Sequence, residues 1–196
     1  MNEQIKLLFV QRFKGRVLFN ESMSAYTSIG IGGAADVMAF PLDEADLIDV
    51  LTFAKSKKYP VFILGLGANL LVRDGGIRGV VINMADGFKD ITIDAENLKV
   101  KADAGVLLSK LISKCAKKGM SGLEFAEGIP GTVGGAVSMN AGAYGGEMKD
   151  VVNGVEILRY EGKKNIKKEF IGSKELNFAY RSADVPKGSV VVSAFF

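Results

Sequence analysis

The stretch "EGIPGTVGGAVSMNAGAYGGE", Glu127–Glu147, holds seven glycines and one proline, and its only charges stand at its two ends. Glycine loses more conformational freedom on folding than any other residue, so packing alone disfavours such a run. A flexible linker would be Ser-rich and polar. This tract instead carries Ile129, Val133, Val137, Met139 and Tyr144, side chains that seek burial. Two readings stay open: tight turns formed for their own sake, or backbone held open for a ligand.

A second glycine-rich segment, "VFILGLGANLLVRDGGIRGVVI", places Gly65, Gly67, Ala68 and Asn69 directly after an apolar run. Gly-x-Gly suggests a dinucleotide loop, but the third glycine is replaced by Leu70, and "LLVRDGG" turns rather than opening a helix. No helix N-terminus is therefore offered to a pyrophosphate. What remains is a nest of successive amides able to hold an anion without cationic side chains, or an ordinary strand-to-strand turn. A third segment, "YTSIGIGGAAD", sets Thr27, Ser28, Gly30, Gly32 and Gly33 before a strand and reads by itself as a bulged turn. Two uncharged loops beside apolar segments suit a ligand with phosphates and a large flat portion.

Composition narrows the chemistry. The 196 residues are 48% hydrophobic, carry a net charge of +3 with acids and bases interspersed, and include no histidine and one cysteine. The absence of histidine removes Ser-His-Asp and Cys-His catalysis, His-containing metal sites and a histidyl-linked cofactor. No metal, nucleic-acid or membrane partner is expected: thiolate clusters need more cysteines, no basic stripe is interleaved with aromatics, and no apolar run reaches a membrane span. One cysteine suits a reducing cytosol. Cys115 falls in phase with Leu107, Leu108 and Leu111 on a helical face and reads as core.

The periodicities predict α+β. Helices are expected over Asn2–Phe13, with Ile5, Leu8, Phe9 and Phe13 on one face, over Asp43–Lys58 with Asp43 as cap and Leu47, Leu51 and Ala54 as its stripe, and over Leu107–Lys118. Strands are expected at "AADVMAF", at a buried "VFIL", at "GVVINM", and at "GSVVVSAFF". Two hairpins join "KDITID" to "LKVKADAG" and "VEILRY" to "NIKKEF", the latter through "EGKK". No regular βαβ repetition is present.

"YTSIGIGGAAD", "ILGLGANLLVRDGGIRGVVI", "GLEFAEGIPGTVGGAVSMNAGAYGGE" and "FAYRS" occur here in the order seen in the MurB family, the UDP-N-acetylenolpyruvoylglucosamine reductases, which the chain resembles from about Tyr26 onward. The resemblance implies a two-subdomain FAD-binding fold of the PCMH (vanillyl-alcohol-oxidase-like) type over residues 26–196, divided at about 84/85, after an N-terminal helix and lead-in over 1–25. It implies non-covalent FAD, NADPH as reductant, a UDP-sugar enolpyruvyl ether as substrate, and a cytoplasmic place in peptidoglycan synthesis. The cofactor-binding residues so implied are Thr27, Gly65 and Gly67, with Ala68, Asn69, Leu70 and Leu71 against the pyrophosphate. Toward the flavin they are Ile129, Pro130, Gly131, Thr132, Gly134, Gly135, Asn140, Ala141, Gly142 and Gly145. Glycine is expected there because a Cβ would block the cofactor's approach.

A lone loop arginine is usually solvated surface. Arg181, however, matches the family's catalytic arginine, with Tyr180 supporting the substrate beside it. A guanidinium can hold both oxygens of a carboxylate as charge develops on it. Ala68 stands where family members often carry serine. The family's proton-donating serine and its acidic partner lie in a further substrate domain, expected beyond Phe196, and Ser193 comes too early to be that donor. The chain is thus expected to be the flavin-binding portion, incomplete for turnover by itself. The alternatives are a non-enzymatic flavin or nucleotide module, or another FAD oxidoreductase of the same fold.

Overall fold

The structure, a computed structural model, describes residues 3–161 and 165–196. The side chains of Ile5 and Leu8, and residues 162–164 of the "EGKK" connection, lie outside the described set. Two compact units form, Met1–Gly87 and Phe88–Phe196.

The first unit contains α1 (Glu3–Arg12), β1 (Arg16–Ser22), β2 (Ala34–Phe40), α2 (Glu44–Ser56), β3 (Val61–Leu64) and β4 (Ile77–Asn83). Its sheet has the order β1-β2-β4-β3, with β1 antiparallel to β2 and both β2 and β3 parallel to β4. Asp43 caps α2 by accepting from the Asp46 amide at 2.8 Å. Asp46 does more than favour the helix dipole. Its buried carboxylate accepts from the Lys14, Gly15 and Leu42 amides, each at 3.0 Å, and so fixes the entry to β1. Full hydrogen bonding is what makes burial of such a group tolerable. Leu47, Leu51 and Ala54 are buried, and Phe53 meets Phe9 of α1 edge-on at 4.7 Å.

Two sequence expectations change here. "VFIL" is not a buried strand: Val61, Phe62 and Ile63 are each 37% exposed, because β3 is the edge of its sheet. The lead-in also contributes β1, a strand that the mixed sequence "RVLFNES" conceals by lacking a clean alternation.

The second unit contains β5 (Ile91–Asp94), β6 (Lys99–Asp103), α3 (Leu108–Lys117), α4 (Val133–Ser138), β7 (Gly142–Ala143), β8 (Gly146–Glu147), β9 (Gly154–Glu161), β10 (Asn165–Gly172) and β11 (Val190–Phe195). The order of its large sheet is β10-β9-β11-β6-β5, antiparallel throughout, so β11 enters between the two hairpins. α3 buries Leu108, Leu111 and Cys115, and burial pushes the Cys115 thiol pKa up, as suits a core residue. The glycine tract holds a helix, α4, where only turns or open loop were expected. Its amides are spent early: Val133 donates to Val106 O at 2.8 Å and Gly134 to Ala104 O at 2.9 Å. A Cβ on Gly134 would stand 2.8 Å from the Ala104 Cβ, so glycine there serves close helix packing.

Candidate functional site

Downstream of α4 the glycine tract reverses in a tight hairpin. β7 and β8 pair Ala143 with Gly146, and the two residues between them, Tyr144 and Gly145, have φ of 51° and 87°. Positive φ at both central positions matches the right-handed twist of the flanking strands. A second reversal lies nearby. Ala179 and Ser182 exchange backbone hydrogen bonds of 2.9 and 3.2 Å, leaving Tyr180 and Arg181 at the tip, with Arg181 at φ 56°.

These two reversals line one pocket of about 210 Å³, together with Asn140 and Glu147. Three residues other than glycine on its wall, Asn140, Tyr144 and Arg181, have positive φ. Strained backbone of this kind gathers at functional sites. Tyr144 and Tyr180 are 92% and 87% exposed, so neither is held by burial. The Arg181 guanidinium lies 5.7 Å from the Tyr180 ring, and no described carboxylate stands within ion-pair distance of it. In the same wall, the Glu147 carboxylate accepts from Lys149 Nζ at 2.8 Å and from Asn140 Nδ2 at 2.7 Å. Those two contacts, with the Arg181 charge acting in the same direction, hold its carboxyl below the usual range. The pocket thus offers one cation with no described carboxylate partner near one committed anion, fit to receive a carboxylate or a similar planar anion.

The sequence-predicted cofactor residues divide sharply. Thr27 is buried and donates to Ile31 O at 2.8 Å. Thr132 is buried and caps α4 through a 3.4 Å bond from Gly135 N. Gly134 and Ala141 are buried, and the Asn140 carboxamide is committed to protein partners. The contacts these groups make in the structure are internal to the fold. Gly67 has a reason of its own within the fold. A Cβ there would lie 1.9 Å from Tyr26 O, at φ +69°, so the protein's own backbone already demands glycine. By contrast, a Cβ on Gly131 would meet nothing within 4 Å, and one on Gly135 only its own capping hydroxyl at 3.5 Å. No packing among the described residues explains glycine at these two positions.

In the first unit, the Gly67, Ala68 and Asn69 amides donate to no acceptor among the described residues, beside a Leu71 side chain that is 65% exposed. Gly65 and Leu70 flank this open run, half-buried. In the tract, Ile129 and Pro130 lead to Gly131, whose amide is likewise unused, and Gly142 and Gly145 lie in the hairpin wall. Sequence reasoning did not select Tyr144 or Glu147. Glu147 was marked only by being the tract's terminal charge.

Residues 35–164 match the family described as FAD binding domain. The chain belongs to that family. This FAD-binding domain is 41% identical over 185 residues to a UDP-N-acetylenolpyruvoylglucosamine reductase of Syntrophus aciditrophicus, covering 93% of this chain and 58% of that protein. The corresponding reductase of Moorella thermoacetica is 44% identical over 92% of this chain and 57% of its own length. The FAD-binding domain therefore spans less than two thirds of the curated relatives it matches. The crystal structure of the Thermus caldophilus reductase superposes with a TM-score of 0.73 at 33% identity, over 92% of this chain and 60% of that one. A solvent-stable cholesterol oxidase gives a TM-score of 0.70 at 17% identity, over 93% of this chain and 37% of that one, which speaks to the fold alone. The fold is the PCMH-type, vanillyl-alcohol-oxidase-like α+β architecture.

FAD fits what is present. Each unit carries a loop with unused amides, and Gly131 and Gly135 leave room that a side chain would fill. Among the described residues, no cluster of three or more His, Cys, Asp or Glu could hold a metal ion, and no helix is long and apolar enough to cross a membrane.

Proposed function

We propose that this chain is the flavin-binding part of a UDP-N-acetylenolpyruvoylglucosamine reductase. The reaction is reduction of the enolpyruvyl ether to UDP-N-acetylmuramate with NADPH as reductant, a cytoplasmic step of peptidoglycan synthesis. The observation that carries this reading is Arg181. It stands on a strained turn lining an open pocket, with no ion-pair partner among the described residues, in a chain 41% identical to a reductase across nearly its whole length. When bound, FAD supplies the hydride-transfer chemistry.

The protein's part is to bind, orient and stabilise. The Gly67, Ala68 and Asn69 amides offer donors to phosphate oxygens, with Gly65, Leu70 and Leu71 shaping that loop. Ile129, Pro130, Gly131 and Gly135, with Gly142 and Gly145, present backbone against a flat ring. Attachment is non-covalent, since histidine is absent and Cys115 is 3% exposed. The Arg181 guanidinium faces the substrate carboxylate. Reduction of the alkene pushes negative charge onto that group, and a planar fork meets both oxygens. Tyr180 stands beside it as a wall for the substrate.

Arg181→Ala in the full-length protein should leave FAD bound and slow flavin reoxidation by the enolpyruvyl substrate about a hundredfold, the usual cost of removing one donor to a developing oxyanion. Lysine should rescue poorly, having a point charge in place of the fork. Stopped-flow absorbance measures this directly. An unchanged rate would remove Arg181 from the chemistry.

A further inference from the structure

The Tyr180–Arg181 turn has little packing to hold it, yet its backbone is strained and its guanidinium must be aimed. Two hydrogen bonds tie it to the glycine tract: Ala183 N donates to Ser138 O at 3.1 Å, and Asn140 Nδ2 donates to Ala179 O at 3.1 Å. Asn140 is itself over-determined. It is 3% exposed, sits at φ 41°, gives its other Nδ2 hydrogen to Glu147 Oε2 at 2.7 Å, and accepts from Lys149 N at 3.0 Å on Oδ1. Asparagine tolerates that backbone better than most residues. No donor of its side chain is left for a cofactor, while three segments of the pocket wall meet at its carboxamide.

We infer that Asn140 is a positioning residue for Arg181, holding the Tyr180–Arg181 turn through Ala179 O while it anchors the Glu147 carboxylate in the same pocket wall. The structural tie stands on geometry; its catalytic consequence rests on the reductase reading. A carboxamide is required because one nitrogen must donate both to a neutral carbonyl and to a carboxylate. Aspartate has the same shape but donates nothing when ionised and would stand beside Glu147. Glycine accepts the same φ and removes only the side chain.

The test has two arms. Trypsin cleaves after exposed basic residues, and Arg181–Ser182 and Lys118–Gly119 both lie on exposed segments of this unit. In Asn140→Gly and Asn140→Asp, cleavage at Arg181–Ser182 should accelerate about tenfold, as expected for one lost hydrogen bond, with Lys118–Gly119 unchanged. Equal acceleration at both bonds would mean general loosening, and an unchanged rate at Arg181–Ser182 would mean no tie; either overturns the inference. In the full-length protein, Asn140→Gly should lower the maximal rate of flavin reoxidation by the enolpyruvyl substrate about tenfold with FAD still bound. It should cost nothing further in an Arg181→Ala background, because a residue acting only through another is non-additive with it. Additive losses would overturn the positioning role. A parent protein with no reoxidation at all would overturn the reductase reading instead and leave proteolysis to decide the tie.

Discussion

Gly67 and Gly135 are glycines for different reasons, and substitutions should separate them. At Gly67 an added Cβ meets Tyr26 O at 1.9 Å with φ at +69°. Gly67→Ala should therefore cost about 1–3 kcal/mol through backbone strain, read as a lowered melting temperature before any cofactor is added. At Gly135 an added Cβ makes one ordinary contact and otherwise faces open space. Gly135→Val should keep the melting temperature within about 2 °C, an effect of well under 1 kcal/mol, yet weaken FAD binding at least about tenfold, or about 1.4 kcal/mol. Flavin fluorescence titration alongside thermal melts measures both. If Gly135→Val bound FAD like the parent, the tract would not be the flavin surface.

At the scale of the element, β9 carries Glu156, whose one carboxylate oxygen joins neighbouring strands. It accepts from Lys101 Nζ of β6 and Ser193 Oγ of β11, each at 2.7 Å, and lies 3.5 Å from Lys168 Nζ of β10. Burial pushes this carboxyl pKa up, but the Lys101 ammonium and the Ser193 hydroxyl outweigh burial and leave it below the ordinary value. The folded state therefore favours the ionised form. Its stabilisation is complete above the unfolded-state pKa and is lost as pH falls through the lower folded value. Glu156→Gln should be less stable than the parent by up to about 1 kcal/mol at pH 7, and the gap should close as the pH drops below the ordinary glutamate range of about 4.3. Urea melts across that range decide it. A gap that persists or widens in acid would show that the ionised carboxylate is not what binds these strands.

For the molecule as a whole, FAD bound only to the folded chain must raise its stability by mass action. At a free concentration 100 times the dissociation constant the gain is about 2.7 kcal/mol, or about 5–10 °C for a chain of this size. Acid precipitation should then release all the flavin, since histidine is absent and the single cysteine is buried. Flavin left on the pellet, or a melting temperature indifferent to FAD, would contradict the proposed loops. The two units differ in what they bring. The first has open amides after an edge strand, while the second has the tract, the pocket and Arg181.

Residue order by itself determined most elements. "AADVMAF" is a short apolar run bounded by glycine and proline, so β2 was legible, and Asp43 ahead of a Leu47–Leu51–Ala54 stripe announced α2. Composition excluded histidine chemistry outright, and the order of glycine motifs pointed to a flavin fold through its resemblance to the MurB family. The signals for single elements are local, arising within a few residues along the chain. Only the tertiary structure decided which glycines face open space and which are pressed against the protein's own backbone, because that depends on neighbours distant in sequence, such as Tyr26 beside Gly67 and Ala104 beside Gly134. The same holds for α4, which runs through glycines with poor helix propensity, held by Val106, Ala104 and the Thr132 cap. It holds most for Asn140. Nothing local marks this residue as the junction of Ala179, Glu147 and Lys149, since the link from Asn140 to Ala179 exists only once the fold has closed.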